Sequence, residues 1–186
     1  MLVTLGFGQS ILTSRYDGQG PVMSGYTLGY DDPTGISVWG LGIDTPYPEY
    51  DAGFLKQVYG TKNAWVLAGG YAAVWPTTRQ WFAEPWLIGN LSSGKLTVHM
   101  NLAGFVPLNK GPFVLASNDT SVIYQVSSRL RVGLQATLWN QEQAAPTLRY
   151  GPRVILSVSK NAELSVSTLI LGSKQADIRV VETIRF

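Results

Sequence analysis

Hydrophobic and polar residues alternate along most of this chain with a period of two. The alternation is clearest in the last segment, ADIRVVETIRF, where one parity holds Ile178, Val180, Ile184 and Phe186 and the other holds Arg179, Val181, Thr183 and Arg185. Successive side chains of a β-strand point to opposite faces, whereas a helix repeats at a longer period. The segment is therefore predicted to be a strand with one apolar and one polar face.

The same pattern predicts about twelve strands of about nine to twelve residues, the length needed to cross a bilayer at a tilt. They are residues 2–13, 21–31, 36–44, 52–60, 64–75, 80–91, 96–107, 119–127, 129–139, 147–158, 162–172 and 176–186. Large apolar residues mark the face expected to meet lipid, among them Ile11, Trp39, Leu41, Trp65, Leu67, Tyr71, Ala73, Trp75, Leu96, Val98, Val122, Leu134, Leu148 and Val166.

Three segments are less regular than the others. In 52–60 the two faces do not separate, because both parities contain large apolar residues. The segment 80–91 contains Pro85, which removes a ladder hydrogen bond unless it lies at a bulge. Residues 108–118 are predicted to be the longest loop. The sixth and eighth predicted strands, 80–91 and 119–127, are the least clearly defined, so a barrel of ten strands stays open as an alternative.

The final strand needs a partner, because unpaired N–H and C=O groups at a sheet edge recruit other chains. The first predicted strand is the candidate, and that pairing would close the sheet. Connections after odd-numbered strands are predicted to be longer than the others, as in barrels with short periplasmic turns and longer outer loops. The sequence thus predicts an all-β, closed, antiparallel, up-and-down transmembrane β-barrel with both termini on the periplasmic side.

Composition narrows the class of protein. The 186 residues suffice for one domain, 1–186, and the net charge of +2 gives no reason to expect nucleic acid as a partner. Charged residues make up 14% of the chain, below the roughly 25% of an average soluble domain. There is no cysteine and no apolar run long enough for a membrane helix. The start of the sequence lacks the features of a signal peptide, so we expect a signal to have been removed from the mature chain.

The chain resembles bacterial outer-membrane β-barrel proteins, whose final strand alternates and ends on Phe. Phe186 and the apolar Ile184, Val180 and Ile178 match that signal. Glu182 departs from it, since its parity faces lipid, and it should prove interfacial, bulged or paired. In size the chain comes closest to the small monomeric porins for acidic oligosaccharides, of the oligogalacturonate and sialic acid type. The resemblance implies a monomer in the bacterial outer membrane, surrounded by lipid bilayer or detergent.

Arginines collect on the face predicted to point into the lumen. They are Arg131, Arg149, Arg153, Arg179 and Arg185, with Arg129 at the edge. A row of arginines in a narrow polar passage selects anions, because its field is weakly screened and guanidinium groups grip carboxylates and phosphates. The alternative is that these arginines pair with inward acids such as Glu163 and Glu84 and fill the lumen.

His99 is the only histidine, and by parity it also faces the lumen. Between Thr97 and Asn101 it is expected to join a polar network and not to act in catalysis. A hydrolase would need a serine paired with the histidine and a group that orients it. The spacing shows no such set, no carboxylate pair, no histidine cluster and no phosphate loop. We therefore predict no enzyme activity, no cofactor and no metal.

Aromatic residues near the strand ends are predicted to form the interfacial girdles of a membrane barrel, with the core of a soluble protein as the alternative. They are Tyr30, Trp39, Tyr59, Trp75, Trp86, Trp139 and Tyr150.

The leading hypothesis is a passive outer-membrane channel or porin for small hydrophilic, anionic solutes. The alternatives are a barrel with a packed lumen and a structural or interaction role, a soluble β-sandwich or virion component, and a membrane-embedded hydrolase.

Overall fold

The computed structural model describes residues 11–19, 23–32, 34–46, 48–171 and 175–186. Within them the chain forms twelve strands: β1 Ile11–Gln19, β2 Met23–Asp31, β3 Ile36–Leu41, β4 Glu49–Gly60, β5 Ala64–Trp75, β6 Gln80–Ser93, β7 Leu96–Pro107, β8 Val114–Gln125, β9 Leu130–Gln141, β10 Thr147–Ser157, β11 Ala162–Leu171 and β12 Gln175–Arg185. Most of the predicted first strand, 2–13, lies outside the described residues. The described part of β1 continues to Gln19, where a loop was predicted.

Every strand pairs antiparallel with its neighbours in the sequence, and β1 pairs with β12 to close the barrel. In that closing pair Ile11 lies opposite Arg185, and Tyr16 lies opposite Val180. The predicted closed, up-and-down barrel of twelve strands is confirmed, and the ten-stranded alternative is wrong. No helix in the described part of the chain is long and apolar enough to span a membrane.

The outward faces of β2 and of β7 to β12 carry the apolar residues that the alternation predicts. Leu134 on β9 is 63% exposed, whereas its inward neighbour Gln135 is 2% exposed. On β12, Ile178 points outward and Arg179 is buried inside. The surface around these strands is therefore apolar. Their inward faces carry most of the polar lining of the lumen, together with buried apolar side chains such as Phe105 and Ile123.

On β1, β3 and β5 the predicted faces are reversed. The residues expected to meet lipid but found inside are Ile11, Trp39, Leu41, Trp65, Leu67, Tyr71, Ala73 and Trp75. Two of the inward rings pack against glycines of the neighbouring strand, Trp39 against Gly29 and Tyr71 against Gly53, where a Cβ atom would clash with the ring. Glycine leaves room for a large ring on the same face, so the apolar parity on β3 and β5 marks the lumen.

Local irregularities explain the segments whose strand assignment was difficult. The register between β4 and β5 shifts between Gln57 and Tyr59, so Val58 and Tyr59 are both exposed and neither parity dominates. On β6, the pairing with β7 omits Glu84 and Pro85 without a change of register. The proline interrupts the ladder and makes no bulge.

The connections define two rims of the barrel. The terminal rim contains the end of β12 and the turns 32–35, 61–63, 94–95, 126–129 and 158–161, and the loop rim contains the connections 76–79, 108–113 and 142–146. The predicted contrast in length is seen in part. On the loop rim, 42–48, 108–113 and 142–146 have five to seven residues, against two to four in the turns of the terminal rim, but 76–79 is no longer than 126–129. The predicted loop 108–118 is also too long, because β8 begins at Val114. β8 therefore starts five residues before its predicted beginning at residue 119, and most of these residues pair in the sheet.

Glu182 lies on the outer face near the terminal rim, opposite Ser14 and Leu164. Neither pairing of β12 shifts register there, so the expected bulge is absent. The side chain is exposed, which supports an interfacial position.

Candidate functional site

The barrel lumen has two chemically different walls. Strands β8 to β12 contribute charged and polar side chains, including all five arginines predicted to face inward. Strands β3, β5 and β6 contribute the rings of Trp39, Trp65, Tyr71 and Trp86. A solute inside the lumen would contact guanidinium groups on one side and aromatic faces on the other.

A cavity of about 360 Å³ opens at the terminal rim, and we call it the terminal chamber. Its charged lining residues are Lys95, Arg131, Arg153 and Arg185 against Asp119 and Glu163. Four cations face two carboxylates, so the lining has an excess of two positive charges. This chamber is the part of the described lumen that best suits an anion.

Two arginines of the terminal chamber share one carboxylate. Arg131 Nη2 lies 2.5 Å from Glu163 Oε1, and Arg185 Nη2 lies 3.2 Å from Glu163 Oε2. The pairs are partly exposed, which weakens their stabilising effect. A single carboxylate cannot neutralise both guanidinium groups, so a positive charge is left at this point of the wall.

The other predicted arginines are paired more completely. Arg153 donates to Asp119 and, over 2.8 Å, to Ser165 Oγ. Arg149 Nη1 lies 3.4 Å from Asp177 Oδ2, and Arg179 Nη1 donates to a backbone carbonyl over 2.7 Å. The structure places these arginine side chains on the inner side of the barrel wall. Arg131, Arg153 and Arg185 lie together in the terminal chamber. Arg179 lines a different cavity, Arg149 lies near the loop-rim end of β10, and Arg129 is exposed in the turn 126–129.

His99 lies between the terminal chamber and a second cavity of about 290 Å³, which we call the central chamber. Its ring centroid is 6.3 Å from that of Trp65, so it contacts the aromatic wall as well as the polar one. No hydrogen bond of the described structure joins His99 to a serine and an acid, as a hydrolase would require.

Aromatic side chains fill the lumen beyond the central chamber, toward the loop rim. Trp75, Phe82, Phe105 and Trp139 form this aromatic cluster, with ring centroids 4.5 Å apart for Trp75 and Phe82 and 5.6 Å apart for Phe105 and Trp139. Small residues of this part of the sheet, such as Ala73 on β5 and Ala116 on β8, make room for the rings. The cluster narrows the lumen on the side of β5 to β9.

The predicted interfacial girdle is only partly correct. Trp39, Trp75, Trp86 and Trp139 lie inside the barrel, so their assignment to the girdle is wrong. Tyr30, Tyr59 and Tyr150 are exposed on the outer face, as a girdle requires. The tryptophans fill lumen space that polar side chains leave free.

Three carboxylates come together in the lumen beside the aromatic cluster, where Trp75 donates a hydrogen bond to Glu49. One carboxylate oxygen from each of Glu49, Asp51 and Glu84 lies within 4.8 Å of the other two. We call this group the acidic trio. The expectation that the chain holds no carboxylate pair is therefore wrong. The alternation Glu49-x-Asp51 at the start of β4 signals two inward carboxylates on one strand, but the contribution of Glu84 depends on strand pairing.

Comparison with known proteins identifies the fold. No protein-family model and no curated protein matches the chain. Among solved structures, the chain is similar to the KdgM porin in complex with disordered oligogalacturonate, at a TM-score of 0.63 and 12% identity, covering 95% of this chain and 99% of that one. It is similar to the NanC porin at a TM-score of 0.62 and 9% identity, covering 94% and 100%.

A third similar structure is the outer membrane protein Omp33 of Acinetobacter baumannii, at a TM-score of 0.54 and 10% identity, covering 96% of this chain and 98% of that one. At identities this low the likeness concerns the fold alone. The chain has the fold of the small outer-membrane porins, and the resemblance inferred from its sequence is confirmed at that level.

Proposed function

We propose that this protein is a passive outer-membrane channel whose terminal chamber favours small anions. The observation that carries the proposal is the excess of positive charge in that chamber, where Arg131 and Arg185 share the single carboxylate of Glu163. In a confined passage such a field is weakly screened, so it raises the local concentration of anions.

The membrane location is supported by the outer surface of the barrel. Large apolar side chains, such as Leu134, Leu148 and Ile178, point away from the lumen and are half exposed or more. A contiguous apolar surface of this kind is rare on soluble monomers, and a closed sheet leaves no unpaired backbone groups in lipid. The porins of similar fold agree with this location.

The likeness to the KdgM porin gives a first choice of solute class. That structure was solved in complex with oligogalacturonate, an acidic oligosaccharide. For the present chain we propose small hydrophilic anions, with acidic sugars among those to be tried first. Aromatic rings opposite the guanidinium groups add surfaces against which a sugar ring can pack.

A second function is favoured by the aromatic cluster. Phe82 and Phe105 are almost completely buried in the lumen, and they fill it near the loop rim. A barrel closed at this level would serve a structural or interaction role and would not conduct. The two functions make opposite predictions for ion flow.

The experiment that tests the proposal is reconstitution of the refolded chain into planar lipid bilayers. Discrete conductance steps support the channel, and their absence in preparations with heat-modifiable migration supports the closed barrel. Extraction of a folded monomer without detergent would contradict both the channel and the closed membrane barrel. We expect the protein to act as a monomer without nucleic acid, cofactor or catalytic turnover.

A further inference from the structure

We propose that the acidic trio, Glu49, Asp51 and Glu84, binds a divalent cation of the calcium type inside the barrel. This site is separate from the terminal chamber, and the inference does not depend on the proposed channel function.

The barrel brings the trio together from two strands. Glu49 and Asp51 are two residues apart on β4, so their side chains share one face, and Asp51 on that face lines the central chamber. Glu84 lies on β6, and β5 separates the two strands in the sheet. Calcium is bound by oxygen atoms at about 2.3–2.6 Å, so two ligands of one ion lie at most about 5 Å apart. One carboxylate oxygen of each residue lies within 4.8 Å of those of the other two, which meets this requirement.

Burial without hydrogen bonds points to a missing ligand. Glu84 is 1% exposed, and neither of its carboxylate oxygens has a hydrogen-bond partner. Asp51 is 6% exposed, and its Oδ1 is also unpartnered. The indole N–H of Trp86 faces Glu84 without a hydrogen bond of normal geometry. Burying carboxylates in this way is unfavourable unless a counter-charge or a proton compensates them.

The charges around the trio indicate the valence of the ion. The guanidinium group of Arg15 attracts Glu49, whereas the charges acting on Asp51 are those of Glu49 and Glu84. Three carboxylates and one guanidinium group sum to a charge of −2. A divalent cation would neutralise this charge and supply the ligand that the unpartnered oxygens lack.

The ligand types favour a hard cation. All three ligands are carboxylates, and the group includes no histidine or cysteine. Calcium prefers oxygen ligands and tolerates irregular geometry, whereas zinc and copper sites use imidazole or thiolate. The trio offers three side-chain ligands, and lumen water can complete the coordination.

Terbium luminescence tests the site directly, because Tb³⁺ occupies calcium sites and is excited by nearby tryptophan. Trp75 donates a hydrogen bond to Glu49 and therefore lies beside the proposed ion. We expect the refolded barrel in detergent to give tryptophan-sensitised Tb³⁺ emission that calcium displaces. In Glu84→Gln the affinity should fall at least tenfold. In Glu182→Gln, the same substitution on the outer face, it should be unchanged.

A second variant and a second readout protect the test against misfolding. Asp51→Asn should weaken binding as Glu84→Gln does, and heat-modifiable migration verifies that each variant is folded. For the unaltered barrel, calcium should raise the temperature at which heat-modifiable migration is lost, relative to a chelator. Absence of sensitised emission, or emission that both variants leave unchanged, would overturn the proposal and indicate that protons neutralise the trio.

Discussion

The aromatic cluster gives the sharpest mutational test of how the lumen is filled, through the substitution Phe105→Ala. The ring of Phe105 is 2% exposed and lies between those of Trp75, Phe82 and Trp139. Its centroid is 5.7 Å from that of Trp75, 5.8 Å from that of Phe82 and 5.6 Å from that of Trp139. Removing the ring therefore breaks three aromatic contacts at once.

The expected loss of stability follows from this packing. Truncating a buried Phe to Ala typically costs about 3–5 kcal/mol, and aromatic pairs add about 0.5–1.5 kcal/mol each beyond the buried area. With three ring neighbours, we expect a loss near the upper end, about 4–5 kcal/mol. The control Leu134→Ala removes an apolar side chain from the outer face, where lipid fills the space. Leu134→Ala should lower the free energy of unfolding by about 2 kcal/mol, because three carbons are no longer transferred from water into lipid and no cavity is left behind.

The two variants should also differ in conductance. Phe105→Ala opens space in the narrowed part of the lumen, so its single-channel conductance should exceed that of the unaltered barrel. Leu134→Ala should leave the conductance unchanged, because its side chain points away from the lumen. Urea unfolding in detergent or lipid gives the free energies, and planar bilayers give the conductances. Equal losses of stability in both variants, with unchanged conductance in Phe105→Ala, would refute the assignment of the cluster to the lumen.

Three further predictions concern the charged residues. Arg153→Ser leaves Asp119 without its guanidinium partner, so the reversal potential in a salt gradient should move toward cation preference while heat-modifiable migration persists. Glu163→Gln frees the two arginines that share it, and the reversal potential should move toward anion preference; a shift in the opposite direction would contradict the charge balance proposed for the terminal chamber. In the turn after β2, Thr34 donates to Asp32 over 2.6 Å from its hydroxyl and over 2.8 Å from its amide, and the hydroxyl bond chiefly lowers the pKa of Asp32. This contribution to turn stability is present at neutral pH and lost as the pH falls through the lowered pKa, and Thr34→Ala should raise that pKa in an NMR titration.

The strands on the charged wall could be predicted from the sequence because their two faces differ strongly. On β9 and β10, arginine, glutamine and serine alternate with leucine and valine, so an apolar parity can only face outward. Position Arg153 shows the result, since it points into the terminal chamber while Val154 is exposed. Closure could also be inferred, because the final strand needed a partner.

The strands of the aromatic wall could not be oriented from the alternation alone. On β5, Trp65, Tyr71 and Ala73 alternate with valine, alanine and glycine, so both faces are apolar. Which face meets lipid is decided by packing across strands, as where the ring of Tyr71 lies against Gly53. The bulge at Val58 depends equally on the partner strand.

The acidic trio could not be predicted from the sequence for the same reason. Glu49 and Asp51 are neighbours in the sequence, but Glu84 is far from them along the chain and stands beside a proline. Its inward orientation next to them follows from the register of β4, β5 and β6. A site built from several strands of a barrel is visible only when that register is known.

The measurement that tests the proposed function most directly is the reversal potential of the unaltered barrel in a planar bilayer separating two concentrations of potassium chloride. An excess of positive charge in the terminal chamber predicts conductance steps whose reversal potential has the sign of chloride preference. A reversal potential of the opposite sign, or a folded barrel that does not conduct, would contradict the proposed anion channel.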